Sequence, residues 1–216
     1  MRPPEELLPD RRLRPYWIDL HLHTVLSPCS ALDMGAPEVA ARYRGEGIEL
    51  VAVTDHNHAG NFPAFQKAAE EKGPVVLPGM EIQSMEDIHL VVIFPTAEAA
   101  QVFQQWLWRR MPHILNKEDV FGYQLLIDHE NNILAQEPIL LVQGVRYTVD
   151  ELALKGIEVG ALVIPAHLDR PSFSYEAVLG RLPDGFPCSA LEISPRASHA
   201  ELEKWKERYP KHTLVR

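Results

Sequence analysis

The chain has 216 residues, 46% of them hydrophobic and 24% charged, which is enough to bury one substantial core. Its net charge of -9 argues against a broad positive surface, so nucleic acid is an unexpected partner, whereas a phosphorylated small molecule is compatible with it. No apolar run is long enough to cross a bilayer, the N-terminal stretch lacks the apolar region of a signal peptide, and two cysteines are too few for a disulfide framework, so a cytoplasmic protein without membrane contact is expected.

In chain order, residues 1–15 are rich in Pro and Arg and read as a loose lead-in. A strand is predicted over 16–22, a helix over 37–45, a buried strand over 50–54, and a helix over 62–72 that Gly73-Pro74 would end. Strands over 75–77 and 89–94 and a helix over 97–109 follow. Residues 111–147 break the rhythm, with two strands at 123–128 and 133–135 around the turn sequence HENN. The alternation resumes with a helix over 149–156, strands over 161–166 and 189–193, a helix over 200–208 and a last strand from 212. This order predicts one α/β domain over 1–216 with a mainly parallel sheet and an insertion at about 100–147. With Trp106, Trp108 and Phe121 close by, the insertion suits a lid, a packing elaboration or a dimer contact.

The residues able to do chemistry gather at strand ends, the edge where α/β folds collect ligands. On a regular strand Asp19, His21 and His23 would share one face and Leu20 and Leu22 the other. The two imidazoles suit a zinc-like cation, with Asp19 orienting one of them; a half-exposed strand gives the same pattern. Asp55 and His56 end the second strand, as candidate catalytic group and metal ligand, or as a polar turn. Glu81 follows Pro78-Gly79 and is the best-placed bridging carboxylate. His89 opens the next strand, either as a ligand or as a satisfied core histidine. His167 ends the 161–166 strand, and Arg170 beyond it is a candidate catalytic phosphate clamp or the partner of Asp169. His58, His113, His129, His199 and His212 lack a motif, and Cys188 reads as a packed thiol. There is no GxSxG, Walker, dinucleotide-binding or HExxH pattern.

Together DLHLHT at 19–24, VTDHN at 53–57, PGMEI at 78–82, HLVVIF at 89–94 and PAHLDRP at 165–171 resemble the PHP (polymerase and histidinol phosphatase) superfamily, with the blocks in that family's order. The resemblance implies a distorted (β/α)7 TIM-like barrel with two or three divalent ions, zinc, manganese or iron, at its C-terminal rim. It implies His21, His23 and Glu81 around one ion, Glu81, His89 and His167 around a second, and His56 at a third. Cys29 stands where the family commonly has a third-ion His or Asp. The implied chemistry is hydrolysis of a phosphate ester by a metal-activated water, which agrees with the lack of a side-chain nucleophile. The family's closing Asp-x-His block is absent at HTLVR, which implies an incomplete C-terminal end or a longer parent; Asp169 and His212 are the available substitutes. A non-catalytic metal-binding module and a nuclease of the same superfamily are the alternatives.

Overall fold

In the computed structural model, which describes residues 15–70 and 72–216, the fold grows outward from an apolar strand. The run LVAV has no polar side chain to solvate and can be buried on both faces, as a central parallel strand requires. It forms β2 (Leu50–Val53), in parallel with β1 (Ile18–Leu22) on one side and β3 (Val75–Gln83) on the other. Helices α1 (Ala36–Glu46) and α2 (Phe62–Ala69) cover the outer face, packing Val39, Tyr43 and Phe65 against Leu22, Val51 and Val53. The predicted helix over 62–72 therefore ends earlier, at Ala69.

Glu81 lies inside a strand, not after one. β3 is nine residues long and changes partner at Pro78-Gly79: up to Pro78 it pairs with β2, and from Gly79 onward with β4 (His89–Ile93). Pro78 still serves the sheet through its carbonyl, which accepts from Phe94 N at 2.8 Å. A Cβ on Gly79 would stand 2.7 Å from the Thr54 methyl, so only glycine allows the two strands to approach this closely there.

β4 corrects the expectation of a mainly parallel sheet, since it runs antiparallel both to β3 and to β7 (Leu162–Pro165). Its reversal puts the start of β4 at the edge where its neighbours end, which is how His89 joins the others. The order in the five-stranded sheet is β1-β2-β3-β4-β7. Helices α3 (Ala97–Trp108) and α5 (Val149–Glu158) back it, the latter entered through a capping box of Thr148 and Glu151. The curl continues through a parallel pair, β8 (Leu191–Glu192) and β9 (Leu214–Val215), joined to β7 by Ser189 N donating to Val163 O. The result is a mixed α/β fold with a curled half-barrel sheet; among the described residues no hydrogen bond between β9 and β1 closes it. Its inner face is built largely of small and β-branched residues, Ala52, Val91, Ile164, Ala166 and Ala190, which keep the interior narrow-walled.

The segment 111–147 contains α4 (Glu118–Phe121) and the predicted hairpin, β5 (Leu125–Ile127) and β6 (Ile133–Gln136). It packs on the outer layer, where Ile127 joins the α1–α2 core. Asn131, at φ 67° in the hairpin turn, accepts from Ala36 N at 3.0 Å and donates to Glu38. It thereby caps α1, whose own N-cap, Gly35, has no side chain to do so. Helices α6 (Tyr175–Leu179) and α7 (His199–Arg208) complete the chain. No helix among the described residues is long and apolar enough to cross a membrane.

Candidate metal centre

One buried carboxylate organises the rim. Glu81 is 2% exposed, and its Oε1 lies 3.1 Å from His21 Nε2, 2.7 Å from His89 Nδ1 and 3.3 Å from His167 Nε2. Its Oε2 lies 3.0 Å from His23 Nε2 and 3.2 Å from His56 Nδ1. The backbone fixes this arrangement: Glu81 N donates to Thr54 O and Asp55 O, and Asn57 N donates to Glu81 O, tying the end of β2 to the middle of β3.

Five imidazoles crowd the two oxygens, and not all of them make a hydrogen bond to Glu81. His23 Nε2 and His56 Nδ1 approach Glu81 closely yet make no aligned hydrogen bond, and His89 Nε2 and His167 Nδ1 are likewise buried without a partner among the described residues. Donors bound at about 2.0–2.2 Å to a shared ion stand roughly 3 Å from one another, so these spacings fit ligands around an ion as well as ion pairs with Glu81. Three overlapping groups have the donors to hold one: His21, His23 and Glu81; Glu81, His89 and His167; and His23, Cys29 and His56. His23 faces two of them, with Nε2 toward Glu81 and Nδ1 at 3.1 Å from Cys29 Sγ.

The cluster is electrostatically divided. Burial opposes protonation of His21, but the Glu81 and Glu192 carboxylates outweigh it and raise its pKa well above the usual imidazole value. Burial of His23 is similarly outweighed by Cys29 and Glu81, which bring it up to about 9. For His56 burial prevails over Glu81 and lowers the value to about 3. Burial alone would raise Glu81, but His21 and its fellow imidazoles hold the carboxyl well below its usual range.

Three placements differ from the sequence reading. A register irregularity between Asp19 and Leu22 breaks the alternation of β1, so Leu20 joins the inner cluster and Leu22 the outer one. Asp19 consequently accepts from Tyr43 OH and from His21 N, and orients no imidazole. That task falls to Glu192 of β8, whose carboxylate oxygens each stand 3.0 Å from His21 Nδ1 and one of which also accepts from His167 N. Asp55, expected as a catalytic group, is fully buried with its oxygens committed to Thr24 N, Thr24 Oγ1 and Ser27 Oγ. It thus pins the loop that runs from His23 toward Cys29.

Arg170 lines the cavity above the cluster, a space of about 860 Å³ shared with His21, His23, Cys29, His56, Glu81 and His89. The alternative of a pair with Asp169 is not realised, because that carboxylate accepts from Ser194 N and Oγ. His212 packs edge-on against Tyr209, and neither it nor Asp169 lines the cavity. No residue of 111–147 lines it either. His58 accepts from Gly60 N beside Trp108, as befits a structural histidine, and Cys188 packs at the edge of the main core.

A curled α/β sheet with a histidine–carboxylate cluster at its rim defines a protein with the donors of a metal centre. The chain belongs to the PHP domain family, whose model matches residues 19–152. It is 34% identical over 83 residues to the PolC-type DNA polymerase III of Streptococcus sanguinis (strain SK36), a match covering 38% of this chain and 5% of the polymerase. Its fold is similar to that of the lesion-specific endonuclease PfuEndoQ from Pyrococcus furiosus, with a TM-score of 0.62 and 17% identity, covering 92% of this chain and 46% of the endonuclease. It is also similar to that of a provisionally assigned metal-dependent phosphoesterase from Bifidobacterium adolescentis, with a TM-score of 0.59 and 18% identity over 94% of this chain and 86% of the other.

Proposed function

We propose that this chain hydrolyses a phosphate ester of a small phosphorylated metabolite or nucleotide, with divalent ions held by His21, His23, Glu81, His89 and His167 and a further one by Cys29 and His56. The observation that carries this reading is the single buried carboxylate of Glu81 met by five imidazole nitrogens at 2.7–3.3 Å. Divalent ions held by these residues would supply Lewis-acid charge for the phosphoryl oxygens and an acidified water, so that no side-chain nucleophile would be needed.

The chain's own residues have separable tasks. Glu81 bridges the first two groups, and Glu192 fixes the orientation and tautomer of His21 through its Nδ1. Arg170, its guanidinium without an ion-pair partner among the described residues, holds the phosphate by paired N–H donors. Asp55 acts through the loop it pins. Cys29 favours zinc over magnesium or manganese in its group, since thiolates are soft ligands.

A nuclease reading stands beside this one, because the polymerase and the endonuclease among the similar proteins are by name DNA enzymes. It opposes the expectation drawn from the net charge of -9. Metal-loaded protein and its Glu81→Ala variant, assayed on small phosphate monoesters and on a labelled oligonucleotide, separate the possibilities. Phosphate release from the small esters, lost in the variant, supports the phosphoesterase. Cleavage of the oligonucleotide alone supports the nuclease, and turnover of neither by metal-loaded protein overturns both.

A further inference from the structure

Phe173 has a backbone that its side chain does not favour. Its φ is 58°, in the left-handed region, where a bulky non-glycine residue is strained. Two contacts with one residue hold it there: its carbonyl accepts from His89 N at 2.9 Å, and its ring stacks on the His89 imidazole with centroids 4.8 Å apart and planes at 26°. Core burial does not offset the strain, because Phe173 remains 43% exposed. The same turn carries Arg170, whose carbonyl accepts from Ser174 Oγ at 2.8 Å, so the guanidinium and the ring belong to one tightened segment. His89 and Arg170 both line the cavity; Phe173 is not among its lining residues but stacks on the first and follows the second by three residues.

We infer that Phe173 is a stacking platform for a planar ring, of the nucleobase class, carried by the phosphate ester. The inference rests on the phosphoesterase reading of the same site. An aromatic side chain with one face on a rim histidine and surface left open to solvent offers a second ring an apolar, polarisable partner, and such stacking tolerates any base because every base has a π-face. Arg170, three residues earlier, takes the phosphate end of the same molecule. An aromatic whose only task was to shield His89 would gain by being buried, and this one is exposed.

The test uses zinc-loaded protein and two phosphonates in which CH2 replaces the ester oxygen, the analogues of adenosine 5′-monophosphate and ribose 5-phosphate. Calorimetry should give roughly tenfold tighter binding of the adenosine compound. Phe173→Leu should abolish that preference while leaving affinity for the ribose compound unchanged, which also certifies the fold of the variant, and Phe173→Trp should retain the preference. Equal binding of the two compounds by the unaltered protein overturns the inference. So does an equal loss of both in Phe173→Leu, which would make Phe173 a positioning residue for His89. If neither compound binds, the phosphoesterase reading falls with it; if the ribose compound binds and depends on Arg170, that reading stands whatever becomes of Phe173.

Discussion

Glu192 grips His21 symmetrically, each carboxylate oxygen 3.0 Å from Nδ1, across 171 residues of sequence. This contact leaves Nε2 of His21 as the nitrogen that faces Glu81. Groups that orient a ligand imidazole typically contribute about 10–100-fold to metal affinity. Glu192→Gln should therefore weaken binding of the ion at His21 by that factor while the protein stays folded, as read by competition with a chromogenic chelator. Unchanged affinity would make the contact incidental.

Asp55 should matter for folding more than for chemistry. Its buried carboxylate accepts from Thr24 N, Thr24 Oγ1 and Ser27 Oγ, and removing it leaves those donors without their acceptor. Asp55→Ala should cost about 3 kcal/mol in urea denaturation of metal-free protein. A variant as stable as the parent, but with altered pH dependence of turnover, would return Asp55 to a catalytic role.

Much of the site was legible because its candidate ligands occupy strand ends, and short apolar strands are easily read. His21, His23, His56, Glu81, His89 and His167 come together as that reading expected. What the sequence hid is pairing and direction. Nothing in HLVVI distinguishes a strand running antiparallel to its neighbours, the irregularity in β1 leaves no signature in IDLHL, and Pro78-Gly79 read as a break where the strand only changes partner. Glu192 is an isolated acid in SALEI; a lone carboxylate ending a short apolar strand is the available signal, the same one that marks Glu81.

Asn131 offers a test of the fold apart from the site. It caps α1 from the far hairpin, so Asn131→Ala should lose about 1 kcal/mol without changing metal content. Gly35→Ala should be at least as harmful, because its Cβ would meet the Asn131 amide at 2.5 Å. Denaturant midpoints for the two variants, and their metal content by elemental analysis, check both statements.

Protonation and metal binding compete at His23. In metal-free protein its pKa is raised from 6.5 to about 9, so its contribution to stability is fully present below about 6.5 and is lost as the pH rises through about 9. An ion must displace that proton, so apparent metal affinity should rise with pH over the same window, with proton release on binding. Calorimetry in buffers of different ionisation enthalpy counts the protons. Affinity that is flat across the window would mean that His23 is not a ligand.

The most direct test of the account is the number of ions bound per chain, measured by elemental analysis of protein purified without chelator, beside Glu81→Ala and the double variant His21→Ala, His23→Ala. The account predicts two or more ions in the unaltered chain and a loss in both variants. One ion or none in the unaltered chain, or full occupancy in Glu81→Ala, would contradict it.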